Sequence, residues 1–382
     1  NDRNKHRFEA MWPLPYGVSY NSYLIDDEMV ALVDTVDICY FEVYLRKIKQ
    51  VIGERPINYL IINHMEPDHS GSIRLIKQHY PEIIIVGNKQ TFGMIEGFYG
   101  VTGEQYLVKE GDFLALGHHK LRFYMTPMVH WPETMMTFDE TDGVLFSGDG
   151  FGCFGTVDGG FLDTRINVDK YWGEMVRYYS NIVGKYGSPV QKALQKLGGL
   201  PISAICSTHG PVWTENIAKV IGIYDRLSRY DADEGVVIAY GSMYGNTEQM
   251  AEAIAEELSA QGVKNIVMHN VTKSHPSYII ADIFRYKGLI IGSPTYSNQI
   301  FPEVEALLSK ILLREVKGRY LGCFGSFAWA GAAVKRLAEF AEKSKFELVG
   351  DPVEMKQAMK DLTYTQCENL ARAMADRLKK DR

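Results

Sequence analysis

Short apolar runs ending in polar turns fill the first part of the chain, at residues 22–25, 31–34, 59–62, 83–86, 121–125, 144–146 and 202–205. Their length and β-branched content predict strands. Between them, apolar residues recur at helical spacing over 40–52, 70–80, 170–183, 189–196 and 215–229, and strands covered by such helices imply a layered sheet-and-helix domain. From Gly235 the rhythm becomes regular. Strands at 236–240, 265–269, 289–291, 320–324 and 346–348 alternate with helices at 248–260, 278–284, 303–313, 331–343 and 363–380. Five such strand–helix units predict a doubly wound parallel sheet. The apolar periodicity lapses over 228–234, where Asp231, Asp233 and Glu234 cluster, so two domains are expected, 1–232 and 233–382.

A chain of 382 residues exceeds what one core usually supports, which agrees with that division. Its 46% apolar and 23% charged residues belong to a globular protein, and a net charge of −6 offers no broad basic field for nucleic acid or anionic lipid. The five cysteines are scattered and never form C-x-x-C, which argues against a thiolate metal cluster or a disulfide framework. No run reaches the roughly 20 apolar residues that cross a bilayer, and residues 1–12 lack the apolar core of a signal peptide, so a cytoplasmic location is expected.

Chemistry concentrates at strand ends. The strand at 59–62 is followed by Asn63-His64-Met65-Glu66-Pro67-Asp68-His69, and later strands end at His130, Asp149 and His209. Four imidazoles and three carboxylates without a thiolate suit iron, manganese or zinc, and seven donors suit two ions sharing a bridge, for which Asp149 is available. Glu66 adds negative charge that favours a ferric state. The remaining histidines, His6, His79, His118, His119, His269 and His275, have no such neighbours in sequence and read as surface or packing residues.

On these residues the chain resembles the metallo-β-lactamase superfamily, and within it the flavodiiron proteins, whose H-x-E-x-D-H motif is matched by His64, Glu66, Asp68 and His69. The resemblance implies an αββα sandwich. It also implies that His64, Glu66, His130 and Asp149 hold one iron, and Asp68, His69, His209 and the shared Asp149 the other.

In the second half, the strand at 236–240 runs into Gly241 and Ser242-Met243-Tyr244-Gly245-Asn246-Thr247 before a helix, which places backbone N–H groups and hydroxyls at a positive helix end. A P-loop lysine is absent, which favours a monophosphate over a nucleoside triphosphate. Two further loops leave strand ends, Ser293-Pro294-Thr295-Tyr296 with Asn298, and Ser326-Phe327-Ala328-Trp329 with Gly331, and ligands of open parallel sheets bind at such ends. Together the three loops resemble flavodoxin, whose ligand is FMN. The segment Gly150 to Gly155 spells G-x-G-x-x-G, but the sequence after it is turn-like, so it is expected to shape the metal pocket.

A diiron domain followed by a flavodoxin domain is the order of flavodiiron proteins. The resemblance implies two non-haem irons and FMN, and an oxidoreductase that reduces dioxygen to water or nitric oxide to nitrous oxide. It implies electrons from reduced rubredoxin or a reduced deazaflavin, and a head-to-tail homodimer or a dimer of dimers. No paired C-x-x-C is present, so a rubredoxin would be a separate protein. Many relatives carry a histidine where this chain reads Met11-Trp12-Pro13-Leu14-Pro15-Tyr16, a difference that bears on the choice between the two gases. Two rival readings stand beside this one, a binuclear zinc hydrolase fused to a flavodoxin and a noncatalytic electron carrier. Glu66 speaks against the first and the complete donor set against the second.

Overall fold

Along the strand Lys120–Met125, Leu121 and Phe123 are buried while Arg122 and Tyr124 are partly exposed, the period-two pattern of a sheet with one face inward. The same logic builds two five-stranded sheets. In one, Tyr23–Ile25 pairs antiparallel with Ala31–Val33, and Tyr59–Ile61, Ile84–Gly87 and Gln105–Leu107 follow in parallel. In the other, Phe113–Ala115, Lys120–Met125, Met135–Asp139 and Val144–Gly148 run antiparallel in turn, and Ala204–Ser207 adds in parallel. Ile25, Val33, Ile61 and Val86 of the first sheet share a core with Leu114, Phe123, Met135 and Phe146 of the second. Amphipathic helices such as Phe41–Ile52, Lys89–Tyr99, Asp169–Tyr178 and Gly187–Leu197 flank the sheets. This is the αββα sandwich expected from sequence.

The computed structural model describes residues 1–381, in two compact units, Asn1–Ser228 and Arg229 onward. In the second unit the parallel strands run Ile266–Asn270, Asp233–Tyr240, Tyr286–Tyr296, Tyr320–Phe327 and Glu347–Leu348 across the sheet, the order 2-1-3-4-5 of flavodoxin-like folds. The fifth position is shared by a second short strand, Val353–Lys356, which pairs further along Tyr320–Phe327. Arg319, 1% exposed, has no carboxylate hydrogen-bonded to it among the described residues. Its guanidinium donates to the carbonyls of Ile283, Phe284, Tyr230 and Lys317, and burial lowers its pKa to about 10.

Several elements differ from the sequence reading. The helix Lys89–Tyr99 escapes it because Gly93 and Gly97 interrupt its apolar pattern. Met135–Asp139 is buried at every position and so shows no alternation, whereas Gln105–Leu107 is exposed at every position. The helix expected over 170–183 ends at Tyr178 and continues as one π-helical segment, Tyr179–Val183. Among the described residues no helix is long and apolar enough to cross a membrane.

Candidate metal centre and flavin pocket

The strand Tyr59–Ile61 delivers Asn63 and His64 into a buried seam between the sheets. Asp34 accepts from Asn63 N at 2.8 Å, Thr137 Oγ1 donates to Asn63 Oδ1 at 2.8 Å, and Met135 N donates to Asn63 O at 3.0 Å. Burial raises the Asp34 carboxyl pKa, and the charge of His69 and the Asn63 amide counter it. Glu66 is extended and Pro67 opens the short helix Pro67–Ser70, which turns Asp68 and His69 towards the same space.

The two oxygens of Asp149 sort the seven donors into two groups. Oδ2 lies 3.1 Å from His130 Nε2 and 3.9 Å from His64 Nε2, and Glu66 Oε2 lies 3.1 Å from His130 Nε2 and 3.7 Å from His64 Nε2. Oδ1 lies 3.2 Å from His69 Nε2 and 3.6 Å from His209 Nε2, with Asp68 oxygens 3.7 Å and 3.2 Å from those same two nitrogens. The structure therefore brings all seven sequence-predicted donors together, six of them buried and Asp68 partly so.

The arrangement asks for cations. Both oxygens of Asp68, both nitrogens of His69 and Nε2 of His209 are buried without a hydrogen-bond partner, although Asp68 Oδ2 and His209 Nε2 stand only 3.2 Å apart. Orphaned polar atoms of this kind are costly unless something unseen satisfies them, and two ions between these donors would do so. Burial opposes charge on every group. Facing carboxylates nonetheless hold the imidazole pKa of His64 and His69 up to about 9 and that of His130 to about 10, while Glu66 and Asp149 are held below the usual carboxylate range.

Sequence reading missed the residues that aim the donors. Glu133, fully buried, accepts from His64 Nδ1 at 2.7 Å and Met65 N at 2.9 Å, which leaves the lone pair of His64 Nε2 facing the centre. The Ser19 carbonyl does the same for His209 through Nδ1 at 2.7 Å. Tyr178 donates to Asp149 Oδ2 at 2.9 Å and Thr208 to Oδ1 at 2.5 Å, so each oxygen of the shared carboxylate is held by one hydroxyl. Nothing in the local sequence marks these partners.

The hairpin formed by Arg7–Phe8 and Trp12–Pro13 packs against this centre. Phe8 meets His209 edge to face at 5.3 Å, and buried Trp12 donates through Nε1 to Glu9, whose carboxyl pKa is raised by burial and then by the adjacent Glu66. The segment Gly150 to Gly155 is followed by no helix before 163. The turn after Ala204–Ser207 passes close to it. Gly210 has φ of +85° and a Cβ there would stand 2.3 Å from Cys153 Sγ.

In the second unit a cavity of about 630 Å³ opens at the carboxyl ends of the central strands, a volume suited to a cofactor. Ser242, Met243, Tyr244, Asn246 and Thr247 line one side, Pro294, Thr295, Tyr296, Ser297 and Asn298 another, and Ser326 to Ala330 with Gln357 the third. Of the sequence-predicted residues, Gly245, Ser293 and Gly331 do not line it. Gly245 supplies the φ of +88° that precedes the helix Asn246–Ala260, and Ser293 is buried and caps Phe301 N. Gly331 leaves room for Glu354, whose Oε1 would lie 2.3 Å from a Cβ. Ser297 and Asn298, both with positive φ, make the two-residue turn between Tyr296 and Gln299. Trp329 and Tyr244 are 87% and 90% exposed, an unusual state for large aromatics and one that a stacked planar ring relieves. Gln357 was missed because the strand before it was.

Fold and site together define a binuclear-metal oxidoreductase joined to a flavin domain. The profile of the ODP family beta lactamase matches residues 18–210 and that of flavodoxin residues 238–370. Anaerobic nitric oxide reductase flavorubredoxin of Vibrio vulnificus is 33% identical over 336 residues, 87% of this chain and 68% of that protein. Among solved structures, rubredoxin:oxygen oxidoreductase from Desulfovibrio gigas superposes with a TM-score of 0.95 at 31% identity, covering 99% of this chain and 95% of that one. The flavodiiron protein of Giardia intestinalis gives 0.93 at 26% identity, covering 100% and 95%. The chain belongs to the flavodiiron proteins, and its cofactors are a non-haem diiron pair and FMN.

Proposed function

We propose that this chain reduces dioxygen to water, nitric oxide to nitrous oxide, or both, with electrons entering from an external donor. The observation that carries the reading is the division of seven donors around the two oxygens of Asp149, with carboxylates on both sides and buried atoms left unsatisfied. In this reading His64, Glu66, His130 and Asp149 hold one iron, and Asp68, His69, His209 and Asp149 the other. When bound, FMN would supply one-electron chemistry and the two irons a redox centre open to a small gas.

The chain's own groups position and protect. Glu133 and the Ser19 carbonyl fix the tautomers of His64 and His209, while Tyr178 and Thr208 hold the shared carboxylate. Phe8 against His209 and Trp131 against His64 place apolar surface beside the donors, which restricts water. Dioxygen requires four electrons and four protons per two waters, and two molecules of nitric oxide require two of each. The cofactor residues are those of the three cavity loops, and the boundary between domains falls near 232. Rubredoxin or a reduced deazaflavin as donor, a head-to-tail homodimer and a cytoplasmic setting complete the proposal.

The test is metal and flavin analysis of anaerobically purified protein, followed by gas consumption after chemical reduction. About two irons and one FMN per chain with rapid consumption of either gas are expected, and the ratio of rates identifies the preferred one. Two zincs and no consumption would transfer the site to hydrolysis. In that homodimer the FMN of one subunit would serve the irons of the other, and turnover unchanged on dilution to monomers would remove this arrangement.

A further inference from the structure

At the other end of the strand Met135–Asp139 from the diiron donors, three turns of the first unit meet. His119 stands just before Lys120–Met125, Asp139 ends Met135–Asp139, and Asp142 lies in the turn before Val144–Gly148. One ligand atom from each falls within 4.8 Å of the others. In sequence His119 has no partner nearby, and the fold supplies them.

Two observations distinguish this cluster from a chance surface grouping. His119 Nδ1 is held at 2.8 Å by Asp27 Oδ2, and Asp27 is itself fixed by the backbone N–H groups of Glu28, His118 and His119 at 2.7, 3.1 and 2.7 Å. This carboxylate–imidazole pairing sets the tautomer that leaves Nε2 as a lone-pair donor, as in built metal sites. Nε2 faces Asp142 Oδ2 at 3.4 Å. Asp139, 3% exposed, receives one hydrogen bond, from Thr141 N to Oδ1, so its Oδ2 is left without a donor among the described residues.

We propose that His119, Asp139 and Asp142 form a third metal site, taking a divalent first-row cation, with zinc as the fitting ion. One imidazole and two carboxylates favour such an ion over magnesium or calcium, which prefer all-oxygen shells. Three protein ligands leave positions for water, since Asp142 is largely exposed. The ion clips the turn carrying Asp27 to the two hairpin turns of the second sheet. Its role is structural, and it is separate from the diiron chemistry.

The experiment uses iron- and flavin-loaded protein, dialysed against buffered zinc, with zinc and iron counted in the same sample by plasma mass spectrometry. Wild type is expected to take up one zinc per chain with its irons retained. Asp142→Asn and His119→Gln should weaken uptake by about tenfold or more, the least that loss of a supporting carboxylate costs at metal sites, with iron and flavin unchanged. Three results overturn the proposal: no zinc uptake, zinc that enters only as iron leaves, or uptake equal in wild type and Asp142→Asn. The first is what a protonated His119 merely paired with the carboxylates predicts. Asp142 is exposed, so its variant folds and decides the matter should His119→Gln prove unstable.

Discussion

Replacing Glu133 by Gln tests whether charge behind an iron ligand sets how tightly the iron is held. The amide oxygen of Gln can still accept from His64 Nδ1 and Met65 N, so ring orientation survives and the negative charge is what disappears. Loss of such a carboxylate typically lowers metal affinity by about 10–100-fold, or about 1.4–2.7 kcal/mol. A second effect comes from Glu133 Oε2, which is buried without a partner. An NH₂ group placed there is unsatisfied as the oxygen already was, so this atom should change fold stability by less than about 1 kcal/mol. Iron loss to a chelator, followed by metal analysis at graded chelator concentrations, measures the first quantity, and thermal unfolding of the apo form measures the second. Iron retention within twofold of wild type in folded E133Q would refute the reasoning, and would leave packing of Trp131 against His64, centroids 5.3 Å apart, as what holds the ring.

Three further outcomes follow from the same geometry. Trp329→Ala removes a ring that stands almost free over the flavin cavity and should weaken FMN binding by about 0.5–1.5 kcal/mol without lowering stability, as read by flavin fluorescence titration. Gly210→Ala forces a Cβ onto Cys153 Sγ at a positive φ and should cost at least about 1–3 kcal/mol, seen as a lower denaturation midpoint. Asp163 is buried, yet hydrogen bonds from Thr214 and Asn216 lower its carboxyl pKa, so it stabilises the fold above the unfolded value near pH 4 and that contribution is lost as pH falls through the lower folded value. The stability gap between wild type and Asp163→Asn, measured by denaturant titration, should therefore be full at pH 6 and shrink towards pH 3.

What sequence could reveal was what is written locally. His64, Glu66, Asp68 and His69 crowd one strand end, and His130, Asp149 and His209 each follow an apolar run, so their convergence is legible along the chain itself. The parallel sheet of the second unit is legible for the same reason. Glu133, Tyr178, Thr208 and Ser19 act through tertiary hydrogen bonds, and a Glu or Tyr that will meet His64 or Asp149 looks like any other along the chain. The pairing of His119 with Asp27 is hidden in the same way. Elements were missed where burial is uniform, as in Met135–Asp139, because periodicity is a signal only when one face differs from the other.

Arg319 bears on how the second unit can drift under mutation. Its shortest hydrogen bonds go to the main-chain carbonyls of Tyr230, Ile283, Phe284 and Lys317, with a longer one to that of Gly318, and a carbonyl is present whatever side chain occupies the position. Those four positions are thus free to exchange residues one at a time without removing an acceptor, provided packing is kept. Arg319 has no such freedom, since Lys brings one compact charge where a planar fork reaches several oxygens. In a deep mutational scan Arg319 should be intolerant even of Lys and exposed Lys317 permissive, while Ile283 and Phe284, 1% and 0% exposed, should tolerate only residues that fill the same space.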